Sequence, residues 1–339
     1  MVQEKDIIII GGGIIGVSIA YYLARQGRSV TVLEKDDIGS GSSYGNAGLI
    51  ANGFSIPMAA PGVPSQGLKW LLDATSPFYI KPRLNLDLIS WLWKFLGACN
   101  EKQMRRSIPI LLSLGQGSFD LFDDLLAKED MDFGFEHKGR LILFKSEEGF
   151  DKWGNDIDLI KEFGVDVSAL DADGVRQIEP DVLPAVTHGI YCEAYAHVNP
   201  GHFVDEMARI AKNHGVEIKT GTLVTGFEIS DHQISTVLTS KGAYSPNQVV
   251  LAAGAWSPVI ARDLNLRLPI QPAKGYSLTY KRPPASPQYP LSLSERKIAV
   301  TPMGDKLRFT STLELAGFDP SINERRLAAI RHSVNEYLP

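Results

Sequence analysis

Residues 7–34 read IIIIGGGIIGVSIAYYLARQGRSVTVLE, and this stretch decides the fold. Asp6 to Ile10 is a short β-branched run of the kind found in a strand covered on both faces. Ile14 to Arg25 has helix-forming character, with Gly27 placed to end it. Ser29 to Leu33 is a second strand, closed by Glu34. Together they make a βαβ unit with a right-handed crossover. Between strand and helix, Gly11, Gly13 and Gly16 form GxGxxG, and Glu34 stands 18 residues beyond Gly16. In that setting Gly11 permits a tight turn, Gly13 lets backbone approach a pyrophosphate, and Gly16 allows close helix–strand packing. The N–H groups and dipole of the helix start favour phosphate. A glutamate at the end of the second strand accepts ribose hydroxyls and disfavours a 2′-phosphate. The alternative is a glycine-rich turn that holds no ligand.

The same stretch contains 18 uncharged residues, Ile7 to Ala24, long enough to raise a membrane span. Its four glycines and the flank Glu4-Lys5-Asp6 argue instead for a buried strand and helix without a signal peptide. The remaining composition is that of an ordinary globular chain: 339 residues, 44% hydrophobic, 22% charged. That length suits about two domains. A net charge of −5, with no basic run, speaks against a dedicated nucleic-acid binder. Cys99 and Cys192 stand 93 positions apart and make neither a CxxC pair nor a disulfide framework, as in a reducing compartment. No metal site is expected; HExxH and a Cys–His signature are both missing from the sequence.

Further along, helices are expected over Leu68–Leu72, Leu86–Leu96, Ile108–Ala127, Ser168–Ile178, His202–His214 and near Asn323–Tyr337. The prolines of Pro57 to Pro64 exclude a regular element there. Strands are expected at Arg140–Phe144, Val216–Lys219, Leu223–Ile229, Ile234–Thr239 and Gln248–Ala252, and again within YSLTY, KIAVTP and KLRFTST after residue 269. A middle region is thus inserted between two portions of a nucleotide-binding domain. Two small-residue loops favour FAD over NAD as the dinucleotide: Ser42 to Gly48 after the acidic strand end, and Ala253-Gly254-Ala255-Trp256-Ser257 after a strand.

These residues bring the chain to a family. It resembles the FAD-dependent amino-acid oxidases and dehydrogenases of the D-amino acid oxidase superfamily, and within it the bacterial D-amino acid dehydrogenase small subunits. The likeness runs through IIIIGGGIIGVSIAYYLARQG, SYGNAG (43–48), AAPGVP (59–64) with KWL (69–71), LAAGAWS (251–257), KGYSLT (274–279) and TSTLELAGFD (310–319). It implies an α/β fold: a Rossmann-like FAD-binding domain with an inserted α+β substrate domain built on a mixed or antiparallel sheet. The expected bounds are 1–55 plus about 190–262 for the FAD domain, and about 56–189 plus 263–339 for the substrate domain.

By position the resemblance assigns Gly11, Gly13 and Gly16 to the pyrophosphate and Glu34 to the adenosine ribose. Ser42, Ser43, Asn46, Ala47 and Gly48 would lie along pyrophosphate and flavin. Val224 would pair its backbone with adenine, and Ala253 and Gly254 would pack under the cofactor. Ile14, Ile15, Lys35, Leu49 and Trp256 complete the expected border. The implied chemistry is oxidation at the α-carbon of an amino acid, which demands orientation more than a strong base. Tyr276 is a candidate on the substrate side, or a core tyrosine; His197 is a candidate, or a structural histidine. Lys274 could neutralise a carboxylate or cap a strand.

A quinone or other carrier is the expected electron acceptor, with a cytoplasmic location and at most peripheral contact with the membrane's inner face. Leu84 to Leu96, carrying two tryptophans, could make that contact or belong to the core. Members of the family continue past NEYLP (335–339) with a carboxylate-binding arginine and a glycine-rich helix. Arg308 and Arg331 do not match that arginine, so a shortened relative, a fragment or a piece completed by another chain is expected. Two alternatives stay open: an oxidase of glycine, sarcosine or proline-like amines, and a non-catalytic chain.

Overall fold

The computed structural model describes residues 2–64, 67 and 78–339. The chain divides into two compact units, each discontinuous in sequence. The first comprises Met1–Asn46, Met131–Phe133 and Pro200–Pro272; the second comprises Ala47–Asp130, Gly134–Asn199 and Ala273–Pro339. Expected bounds at 55, about 190 and 262 thus give way to 46, 199 and 272. The shift has a cause in pairing: Leu49–Ala51 forms a small sheet with Tyr195–His197, which carries both segments into the second unit.

The first unit is built on a six-stranded sheet. Its order is Val224–Ser230, Gln233–Thr239, Gly242–Leu251, Val2–Ile10, Val30–Leu33 and Glu217–Lys219. The last four strands are parallel and the first three make antiparallel hairpins. Ile7 to Ile10 are all buried, the burial on both faces that their unbroken apolar run demands. The Ile14–Arg25 helix packs against the Pro200–Asn213 helix. It ends with Gly27 at φ +80°, and Arg28 N–H and Gly27 N–H return to Leu23 and Ala24 carbonyls. Such a closure needs a left-handed residue, which glycine adopts without strain.

The second unit carries a mixed sheet in the order Lys274–Lys281, Lys306–Leu315, Ile298–Met303, Leu291–Leu293, Arg140–Phe144, His188–Cys192, Ser168–Asp171. Phe78–Ile80 adds to Lys306–Leu315 in parallel. One face packs Leu141, Leu143, Leu291, Leu293, Val300 and Leu307 into a core.

Most expected elements are present within two or three residues at their ends, but the helix expected from Ile108 begins at Glu101, the strands expected from Asp6 and Gln248 begin at Val2 and Gly242, and two segments differ in kind. Ser168–Ile178 is not one helix. Ser168–Asp171 is a strand paired with His188–Cys192, and only Ala172–Ile178 is helical. Asp171 marks the change, its carboxylate capping the helix by accepting from Gly174 N–H at 2.8 Å. Residues 63 and 64 have helical backbone where the prolines suggested none. The expected Leu68–Leu72 helix lies outside the described residues.

Candidate functional site

Parallel registration brings three strand ends together in the first unit. Ile10 pairs with Leu33 on one side and Leu251 on the other, so Gly11 lies between Leu33 and Ala252. Gly11 N–H donates to Leu33 O at 2.9 Å and Ala252 N–H to Ile10 O at 2.8 Å. Beyond these carboxyl ends opens a cavity of about 490 Å³, the place where open α/β sheets take ligands.

The glycines make this close approach possible. A Cβ on Gly11, which has φ +112°, would meet Ala252 O at 2.5 Å. One on Gly16 would meet Gly11 O at 1.9 Å. The Ile14–Arg25 helix therefore starts hard against the strand turn, with Gly13 as its N-cap and no side-chain hydrogen bond from that residue. Ile14 N–H donates to Ser43 Oγ at 2.9 Å, bringing the Ser42–Gly45 turn over the helix start. Asn46 closes that turn by donating to the Ser42 and Ser43 carbonyls.

Glu34 lines the cavity at the end of Val30–Leu33. Its carboxylate accepts from Gly12 N–H at 2.7 Å and Asp36 N–H at 2.9 Å, so it is held in place by backbone. Lys35 Nζ lies 4.8 Å from the Trp256 ring centroid. Gly254, at φ +52°, opens the short turn that carries Trp256.

Of the residues expected from sequence, Gly11, Gly13, Ile14, Ile15, Glu34, Lys35, Ser42, Ser43, Asn46, Val224, Ala253, Gly254 and Trp256 all line this cavity. Gly16 lies behind it as a packing residue. Ala47, Gly48 and Leu49 belong to the second unit, where Gly48 O accepts from Val198 N–H and Leu49 pairs with His197. Sequence reading missed Thr222, Leu223, Val259 and Ile260, which also line the cavity. Val259 and Ile260 follow Trp256 at helical spacing, a signal available in the sequence. The cavity walls fit an elongated dinucleotide: glycine backbone and a helix start for a pyrophosphate, a fixed carboxylate for ribose, and apolar walls for ring systems.

The substrate-side candidates lie in the second unit. Tyr276 is buried, and its hydroxyl donates to Glu314 Oε2 at 2.8 Å while accepting from Asn323 N–H. Lys274 Nζ is 3.7 Å and Arg326 Nε 3.9 Å from the same carboxylate. Lys274 also donates to the carbonyls of Asp319 and Ser321. This is a buried ionic network beneath the sheet, which occupies the Tyr276 hydroxyl. His197 is fully buried, its ring nitrogens lack hydrogen bonds, and Nε2 stands 3.8 Å from Glu136. Burial pushes its pKa below the ordinary imidazole value, which keeps the ring neutral at pH 7.

Comparison with known proteins accords with this geometry. The profile of the family described as FAD dependent oxidoreductase (DAO) matches residues 6–339. A D-amino acid dehydrogenase of Vibrio atlanticus is 33% identical over 98% of this chain and 82% of its own length. One from Granulibacter bethesdensis is 31% identical over 98% and 81%. Among solved structures, the glycine oxidase of Bacillus cereus superposes with a TM-score of 0.73 at 23% identity, covering 99% of this chain and 78% of its own. That likeness shows the shared fold. With the glycine cradle, the fixed Glu34 and a match across nearly its whole length, the chain belongs to the FAD dependent oxidoreductase (DAO) family.

Proposed function

We propose that this chain oxidises an amino acid with FAD held in the first unit's cavity, and that its substrate is a D-amino acid, as the names of its relatives say of them. The observation that carries this reading is the cradle formed by Gly11, Gly16 and Ala252, where backbone approaches too closely for any side chain. Gly11 and Gly13 expose backbone to the pyrophosphate, and Ser42, Ser43 and Asn46 border it. Glu34 accepts the adenosine ribose hydroxyls, and its charge disfavours a 2′-phosphate. Val224 offers backbone to adenine, with Ala253 and Gly254 beneath the ring system. Bound there, FAD supplies the two-electron acceptor for removal of the Cα hydrogen, and the imino acid released then hydrolyses to a 2-oxo acid and ammonia.

Purified protein showing a flavin band that D-alanine bleaches without oxygen supports the reading. A flavin band that no amino or imino acid bleaches overturns the substrate, and a colourless protein that takes up no FAD overturns the site. Rapid hydrogen peroxide formation in air would favour the oxidase alternative.

The acceptor we propose is a membrane quinone, with the protein cytoplasmic and touching the membrane's inner face. What supports this is the Leu86–Ala98 helix, on which Leu86, Ile89, Trp93 and Leu96 are exposed at helical spacing along one face. Among the described residues no helix is long and apolar enough to cross a membrane.

A further inference from the structure

The 28-residue helix Glu101–Lys128 of the second unit is apolar on two opposite faces. Met104, Ile108, Gly115, Phe119 and Phe122 are buried on one of them. There Gly115 lies so close to Ala51 O that a Cβ would meet it at 2.7 Å. The other face is open. Ile110, Leu114 and Leu121 are 56, 65 and 49% exposed, and with Gly117 they recur at steps of four, three and four residues. That spacing is the seam of a two-helix coiled coil, not the scatter of single apolar residues that is normal on a surface. A Cβ on Gly117 would meet no atom within 4 Å, so the glycine leaves a notch in the middle of the seam.

The seam complements itself when a second copy is laid over it antiparallel, about a twofold axis between Gly115 and Gln116. Ile110 then lies against Leu121 of the second copy, and Leu114 enters the notch over its Gly117. The twofold repeats both contacts. Parallel alignment would set glycine on glycine and leave a void, which a packed interface does not tolerate. Charge agrees with the antiparallel choice. Arg106 is exposed and makes no ion pair among the described residues. Asp124 bonds Lys128 on its own helix. Arg106 and Asp124 stand 18 residues apart, a whole number of turns, so they share one flank of the seam. Across the twofold they come to within about 1.5 Å of the same height along the axis, which makes two Arg106–Asp124 pairs between copies. A helix of 28 residues is about 42 Å long, enough for a pair to bury the roughly 1,000 Å² that a specific interface needs.

We propose that the chain forms a twofold dimer through this seam, with two Glu101–Lys128 helices packed antiparallel. The occupant is a second copy because seam, notch and flanking charges each find their complement in the same surface. Asp120 and Asp124 beside the seam disfavour an anionic lipid surface there. The dimer does not depend on the amino-acid reading.

Sedimentation equilibrium of the full FAD-loaded chain tests it. Wild type should be a dimer whose dissociation constant Leu114→Glu raises at least a hundredfold and Gly117→Leu at least tenfold. Arg106→Asp and Asp124→Arg should each weaken it about tenfold, and the two together should restore it, which damage to the helix alone would not do. Ile110→Cys and Leu121→Cys proteins, mixed and oxidised, should join position 110 of one copy to position 121 of the other in preference to like with like. Should Leu114→Glu not fold, the paired charge reversal decides. Wild type that stays monomeric at about 0.1 mM, a dimer indifferent to Leu114→Glu, or disulfides of like with like overturns the proposal. Monomeric wild type that binds phospholipid vesicles, and loses them with Leu114→Glu, overturns it too and gives the seam to a membrane.

Discussion

Gly16 does its work without touching a ligand. Its missing Cβ is the space in which Gly11 O sits, and any side chain must push the strand turn and the helix apart. Gly16→Ala is therefore expected to cost about 1–3 kcal/mol in overpacking and to yield protein without the flavin band. Full flavin content in a purified, stably folded Gly16→Ala protein would show that the turn tolerates widening. Tyr276 is a different case. Its hydroxyl is the strong partner of buried Glu314, with Lys274 and Arg326 more distant, so its first role is to satisfy that carboxylate. Tyr276→Phe should lower stability by about 1–3 kcal/mol, measured as the urea midpoint at pH 7. An unchanged midpoint would mean that the network does not depend on the tyrosine.

At the level of elements, the sequence was most legible where one periodicity ruled. The isoleucine run, the GxGxxG spacing and Gly27 each carry their own instruction, so the first strand, turn and helix could be read directly. Ser168 to Ile178 was misread because a capping aspartate in mid-segment switches strand to helix, and apolar spacing does not record the switch. Half of the cavity wall was legible for the same reason. Glu34 and the glycines are close in sequence, whereas Thr222 and Leu223 arrive through the pairing of Glu217–Lys219 with Val30–Leu33, with Thr222 N–H donating to Glu34 O at 2.7 Å, and Val259 and Ile260 through that of Gly242–Leu251 with Val2–Ile10. The tryptophans of the Leu86–Ala98 helix divide: Trp91 is half-buried and stacks on Phe95, while Trp93 is 73% exposed. If that face meets a membrane, Trp93→Glu removes about 2 kcal/mol of apolar burial and should weaken binding to anionic phospholipid vesicles at least tenfold. Equal sedimentation of wild type and variant with vesicles would detach this helix from the membrane proposal.

Across the molecule, charge ties distant segments together and sets how the fold responds to acid. Glu217 joins Lys5 at 2.6 Å and Lys219 at 2.7 Å, linking sequence positions more than 200 apart within the first unit. Burial alone would raise its pKa, but hydrogen bonds and charge from the two lysines hold it at about 2, below the ordinary 4.5. In the second unit, the Lys81 hydrogen bond and those from Ser321 depress Asp319 as well. A carboxylate depressed by folding contributes stability that is complete above its unfolded value and is lost as pH falls through its folded one. For Glu217 that window runs from about 4.5 down to about 2. Glu179 works in the opposite sense: burial raises its pKa against the Gln288 and Tyr289 N–H bonds, so it costs stability as pH rises past 4.5. Acid should therefore lower the urea midpoint chiefly through the paired carboxylates. Glu217→Gln should start slightly lower at pH 7, by less than about 1 kcal/mol because the pair is partly exposed, and then fall less than wild type between pH 4.5 and 2.5. Parallel decline of the two curves, followed by circular dichroism, would show that the Lys5–Glu217–Lys219 cluster does not carry the acid response.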